Sequence, residues 1–292
     1  MCYNLLHRSL LLHICLFTAF LNISAQTATD SMTIAHTQWA TDTIEPGIVH
    51  YRAEFKNLFG HPQYINFISI DLRKGYKLTS LSGFPIEVTS KTARREGALA
   101  AINGTFYDVP TGRTNCYYRI GKQVVDTTAM EEFFRVTGAL RIKHKSVKII
   151  PWNKHIEKSF KKRKGTVMAS GPLLVNDGQV VKFMTFLDPG FYDKRHPRSA
   201  IGINDRKTIF LLTGDGRLPD HSIGLTVQET AFLMKQIGCR YALNLDGGGS
   251  TTLWSHKGAG NGVLNSPSSN KKFDHAGERP NASILMILKN KR

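Results

Sequence analysis

Cysteine is scarce in this sequence, with only Cys2, Cys15, Cys116 and Cys239 among 292 residues. No Cys-x-x-Cys pair and no closely spaced histidine pair occurs, which argues against a zinc finger or a similar structural metal cluster. Acids are also under-represented: 22 Asp and Glu stand against 39 Lys and Arg, a net charge of +17 at pH 7. Past the N-terminus, no apolar run approaches bilayer length. The phosphate-binding Gly-x-x-x-x-Gly-Lys-Ser/Thr loop, the Gly-x-Ser-x-Gly elbow and the His-Glu-x-x-His metal motif are all missing. P-loop nucleotide hydrolysis, serine-hydrolase chemistry on the elbow pattern and zinc-protease chemistry therefore have no support.

What is present begins with a targeting pattern. Met1 to Arg8 carries one positive charge and no acid, Ser9 to Ile23 is strongly apolar, and Ser24-Ala25 supplies small residues before Gln26. This reads as a signal peptide over residues 1–25, cleaved before Gln26, in a secreted or periplasmic protein with no transmembrane segment afterwards. Residues 26–46 are Thr-rich and read as a flexible leader to a single domain over 47–292. Removing the signal takes away only Arg8 among the charged residues, so the positive surplus persists. It favours an anionic partner such as a phosphorylated glycan or an acidic wall polymer. Nucleic acid is disfavoured by the export signal and the lack of a recognisable binding module. Lys158, Lys161, Lys162, Arg163 and Lys164 form the densest basic run, either a solvated face or a docking patch. Whether Cys116 and Cys239 pair is left open, since bridge geometry is not legible in sequence.

Strand patterns dominate. Ile48–Phe55 and Tyr64–Ile70 alternate, Ala98–Ile102 is apolar on both faces, and Val136–Ile150 alternates again. Asp177-Gly178 between apolar runs signals a hairpin. Ser199–Ile203 and Thr208–Thr213 form the next strand pair, and Tyr241–Leu245 and Ser283–Leu288 complete the set. Thr89–Arg95 reads as a short helix capped by Thr89 or Ser90. The clearest helix runs from Thr226 to Ile237, with Thr226 and Glu229 spaced as a capping box and Gly238 as its stop. No βαβ alternation or repeat is found. The expected class is α+β: a mixed, largely antiparallel central sheet with flanking helices, in a single domain.

The chemistry sits where glycine meets acids, amides and hydroxyls at strand ends. In Asn244-Leu245-Asp246-Gly247-Gly248-Gly249-Ser250-Thr251-Thr252 an apolar strand delivers a carboxylate onto three glycines, which permit close backbone approach to an anion. Gly214-Asp215-Gly216-Arg217 and Asn103-Gly104-Thr105-Phe106 are further strand ends, each by itself compatible with an ordinary turn. Arg198 before its strand and Arg279 before the last one could grip a phosphate or merely lie on the surface. Together with Ser170-Gly171-Pro172 and Gly224-Leu225-Thr226, these segments in this order resemble the phosphodiester glycosidase domain across roughly Ala98 to Leu288.

The resemblance implies a hydrolase that removes a sugar from a sugar-1-phosphodiester. It suggests Asp246 as the carboxylate at the reacting centre, the amides of Gly247 to Gly249 as donors, and Arg198, Arg217 or Arg279 as the phosphate partner. Asn103 with Gly104, and Ser250 or Thr251, would orient the sugar. Asp215 is the second acid, or else a loop clamp through Arg217. Glu229 matches a family position, yet its capping role explains it without catalysis. The sequence identifies no cofactor and leaves the metal requirement open: a calcium or magnesium ion at Asp246 and Asp215 is compatible with oxygen ligands. A glycosidase or lyase acting on anionic polysaccharide without a phosphodiester, and a non-catalytic glycan binder, are the alternatives.

Overall fold

The computed structural model describes residues 28–143, 146–160 and 164–290. The signal segment and part of the 158–164 basic run lie outside the described residues. Four antiparallel sheets form the architecture. The largest has eight strands in the order β1 (Ala40–Glu45), β2 (Ile48–Leu58), β3 (His61–Asp71), β16 (Thr208–Gly214), β15 (Arg198–Ile203), β17 (Tyr241–Asn244), β13 (Leu173–Asn176) and β14 (Gln179–Val180). A five-stranded sheet follows the order β11 (Ser146–Pro151), β10 (Gly138–Lys143), β12 (Thr166–Ser170), β8 (Tyr118–Ile120) and β9 (Gln123–Asp126). Four strands, β18 (Leu253–Ser255), β5 (Ala100–Asn103), β19 (Asn281–Lys289) and β4 (Tyr76–Glu87), form the third sheet. The last is the short pair β6 (Tyr107–Asp108) and β7 (Arg113–Thr114). Among the described residues, five helices flank them: α1 (28–36), α2 (Thr89–Arg95), α3 (Lys154–Ser159), α4 (Pro189–Tyr192) and α5 (Val227–Gln236). The α+β class is as expected.

Period-two alternation explains the layering. On β15 and β16, Ile201, Ile203, Ile209 and Leu211 face one core with Ile102 and Leu285 of the third sheet and Leu140 and Met168 of the second. Their neighbours Ala200, Phe210 and Leu212 face a second core against Val227, Ala231 and Met234 of α5. The eight-stranded sheet is thus covered on both sides, by sheets on one and helix on the other. Helix α5 carries the anticipated cap: the Thr226 side chain accepts from the Glu229 amide, and the Glu229 carboxylate accepts from the Thr226 amide.

Two expectations are corrected. Residues 26–46 are not a loose leader where described, because they form α1 and β1. Ile34 is buried with Phe55 and Leu58, and Asp30 accepts a hydrogen bond from the Phe59 amide. Thr41 and Thr43, read as unpatterned, are β-branched residues on an edge strand paired with β2. Helix α2 lacks the expected side-chain cap. Its N-cap is Val88, while the Ser90 hydroxyl donates to Glu278. Cys116 and Cys239 are both free thiols, buried in separate cores.

Candidate active site

The triple-glycine turn leaves the end of β17 and is tied to β5 by backbone hydrogen bonds. The Asp246 amide donates to the Gly104 carbonyl at 3.0 Å, and the Asn103 amide to the Thr252 carbonyl at 3.2 Å. Asn103 completes the knot with its side chain. Its Nδ2 donates to the Asp246 carbonyl at 2.7 Å, while its Oδ1 accepts from the Ser199 hydroxyl at 2.7 Å and the Thr252 amide at 3.1 Å. Asn103 is wholly buried. It is a strut for the turn, so the expected contact with sugar hydroxyls is not what its geometry provides.

Gly104 is required here because a Cβ at this position would lie 2.2 Å from the Ser283 hydroxyl and 2.8 Å from the Ser283 carbonyl carbon. The Gly104 amide instead donates to the Ser283 carbonyl at 2.9 Å, which pins β5 to β19. Gly248 has a φ of +60°, and the Arg217 guanidinium lies 2.9 Å from where its Cβ would be. A side chain there would be both strained and obstructed.

Asp246 is the carboxylate of the site, with its side chain 18% exposed. Its Oδ1 accepts from the Gly247 amide at 3.0 Å, and its Oδ2 lies 3.6 Å from Arg279 Nη2. Arg279 Nη2 donates to the Ser250 hydroxyl, Ser250 in turn supports Asp246, and the Arg279 guanidinium lies over the Tyr107 ring. The Arg279 Nε is buried with no hydrogen-bond partner among the described residues. Burial pushes the Asp246 carboxyl above its ordinary value, opposed by Ser250, Arg279, the Gly247 amide and Arg135. The result is a carboxylate of raised basicity, a cation with an unused donor, and a hydroxyl linking them.

The phosphodiester glycosidase profile matches residues 96–288, about two thirds of the chain. The chain belongs to the phosphodiester glycosidase family. Solved structures agree in fold. The zebrafish N-acetylglucosamine-1-phosphodiester alpha-N-acetylglucosaminidase catalytic domain, auto-inhibited by its pro-peptide, superposes with a TM-score of 0.62 at 18% identity, over 89% of this chain and 91% of that one. A hypothetical protein from Synechocystis gives 0.65 at 16% identity over 87% of this chain, which spans 64% of that protein's length. A protein of Burkholderia pseudomallei described as exported gives 0.56 at 17% identity, over 78% and 74% of the two chains. No curated protein matches in sequence.

The other nominated residues of this family member divide sharply. Ser250 belongs to the Asp246 hub, and Arg217 is exposed above Gly248. Thr251 is buried, and its hydroxyl has no partner among the described residues. The Gly247 amide is committed to Asp246 and the Gly248 amide to the Pro197 carbonyl at 2.8 Å, so the three glycines do not present a row of free donors. Arg198 is 2% exposed, and its guanidinium donates to the carbonyls of Leu225, Phe191 and Lys194 while stacking on Phe191. Those carbonyls, and not a phosphate, are its partners. Glu229 caps α5 and pairs with Arg195, a structural placement.

Asp215 is fully buried. Its two oxygens accept from Asn265 Nδ2 at 2.8 Å and the Ser266 amide at 2.7 Å, so these residues replace Arg217 as its clamp. The two acids therefore have different direct partners, and Asn265, which holds Asp215, also donates to the Thr251 carbonyl and accepts from the Leu253 amide. That arrangement does not suit a cation shared between them. Among the described residues, no group of three or more His, Cys, Asp or Glu side chains is gathered for a metal.

Sequence reasoning missed Arg135, whose guanidinium pairs with Glu132 and lies 4.5 Å from the Phe106 ring centre and 5.1 Å from that of Phe191. It acts electrostatically on Asp246. Nothing in its local sequence resembles a motif. Only Gly171, whose Cβ would fall 1.9 Å from the Arg135 carbonyl, hints that this segment is held against the site. Tyr107 was also passed over, although it adjoins Asn103-Gly104-Thr105-Phe106.

Burial raises the Asp215 carboxyl from its ordinary 3.8 to about 7. The folded protein therefore holds this proton up to about 7, while the unfolded chain releases it near 3.8. The resulting stabilisation is complete below the unfolded value and lost as pH rises through about 7. The upper bound is about 4 kcal/mol. Thermal denaturation is expected to show Tm falling between about pH 4 and pH 7, with a shallower slope for Asp215→Asn. Equal slopes in the two proteins would contradict this account.

Proposed function

We propose that this protein is an exported hydrolase that releases a sugar from a sugar-1-phosphodiester. The observation that carries the reading is the Asp246–Ser250–Arg279 hub, in which a carboxylate of raised pKa lies 3.6 Å from a guanidinium with an unpartnered Nε. Family membership supports the reaction class, and the zebrafish structure carries the corresponding activity in its name. The N-terminal targeting pattern supports export. Among the described residues, no helix is long and apolar enough to cross a membrane.

In this reading Arg279 and the exposed Arg217 neutralise the departing phosphate. The phosphate is a stable leaving group and needs charge neutralisation more than protonation. Asp246 acts at the anomeric carbon as general base toward water, its basicity raised by burial. Tyr107 and Ser250 hold Arg279 and Asp246 in register. Asn103 and Gly104 contribute by fixing the turn.

The test is release of free sugar from a synthetic sugar-1-phosphodiester, compared with a neutral aryl glycoside of the same sugar. Arg279→Gln is expected to reduce kcat/KM on the phosphodiester by about 10²-fold, and less on the neutral substrate. Equal losses on both would remove the phosphate contact. No sugar release by the unmodified protein would overturn the reading.

A further inference from the structure

A basic groove lies at the end of β17 opposite Asp246. A cavity of about 980 Å³ lies where the edge strand β11 packs beside β15 and β17, lined by Arg141, Lys143, Lys148, Lys207, Asp205 and Tyr241 among others. Four bases thus line the cavity with one acid, and Asp205 is already engaged by Arg240 at 2.8 Å. Arg141 and Lys148 are directly opposed in the β10–β11 register, which places two cations side by side on one face. Such a pairing is unfavourable unless an anion lies between them. None of the four bases has an ion-pair partner among the described residues, and the buried Arg141 Nε has no hydrogen-bond partner there either. The half-buried Leu72 and Val147 line the same cavity with aliphatic surface.

We infer that this groove is a second binding site, for a linear polysaccharide bearing phosphate, sulfate or carboxylate groups. The aliphatic surface with a single aromatic ring suits sugar rings flanked by charges. A nucleic-acid channel would instead need a series of stacking platforms. Strand β17 connects the two sites: Tyr241 lines the groove and Asp246 follows the strand's other end, about 17 Å along an extended chain. A polyanion held in the groove would therefore keep its neighbouring units near the hydrolytic turn. This role rests on the hydrolase reading, but the binding itself does not.

Dextran sulfate is the probe, with neutral dextran and single-stranded DNA as comparisons, titrated against the whole protein at about 50 mM and higher salt. The variant Lys148→Glu with Lys207→Glu changes two exposed side chains, and Lys148→Ala is a milder second variant. The double variant is expected to raise the Kd for dextran sulfate about tenfold and to flatten its salt dependence. Hydrolysis of a small sugar-1-phosphodiester should be unchanged, because that substrate does not reach the groove. Unaltered dextran sulfate affinity in both variants would overturn the proposal, as would equally tight, equally variant-sensitive binding of DNA. Loss of dextran sulfate binding in a protein that hydrolyses no phosphodiester would leave the groove standing and remove the hydrolase reading alone.

Discussion

Asp246→Asn is expected to lower kcat on a sugar-1-phosphodiester by about 10³-fold with little change in KM. The substitution is isosteric, and an amide oxygen can still accept from the Gly247 amide, as Asp246 Oδ1 does at 3.0 Å. The fold should therefore persist, with an unaltered circular dichroism spectrum and a Tm within a few degrees. What disappears is the proton-accepting group beside Arg279. Burial holds the Asp246 carboxyl above the usual carboxylate range, so the unmodified enzyme should lose activity as pH falls through that raised value. The residual activity of the variant should lack this acidic limb. Full activity in a folded Asp246→Asn protein would remove Asp246 from the chemistry.

Asn103→Ala should have the largest effect on stability. The truncation strips partners from the Ser199 hydroxyl, the Thr252 amide and the Asp246 carbonyl, all within 3.1 Å of the amide side chain. Each buried group left unpaired costs about 1–3 kcal/mol, and partial relaxation brings the expected total to about 4 kcal/mol. In a domain of this size that corresponds to a Tm lower by about 10 °C in differential scanning calorimetry. Activity should fall as well, because the Asp246 main chain is freed from β5. A Tm change below about 2 °C would show that the turn is held by its other backbone bonds.

Prominent local signals translated directly into structure. The α5 cap at Thr226 and Glu229, the Asp177-Gly178 hairpin and the central strand at Ala100–Asn103 are all present. Each depends on residues a few positions apart, where spacing and backbone preference suffice. The same locality misled at residues 26–46, whose burial of Ile34 and Trp39 depends on Phe55, Leu58 and Phe67 from later strands.

The candidate site was legible in outline and not in its assignments. Gly104 stood out as a glycine, but its reason is Ser283, 179 positions away. Arg198 and Arg279 looked equivalent, each beside a proline at a strand entrance. Packing sends Arg198 onto three carbonyls under Leu225 and Phe191, and leaves Arg279 partly exposed against Asp246. By itself the sequence determined the antiparallel strand pattern, the capped helix, the positive surplus and the order of the glycine-rich strand ends, all of which follow from local periodicity and composition. Only the tertiary structure decided which arginine stands beside Asp246, that Asp215 and Asp246 have different direct partners, and that four bases line one groove. Burial and pairing of a charge are set by distant chain segments, and no local pattern encodes them.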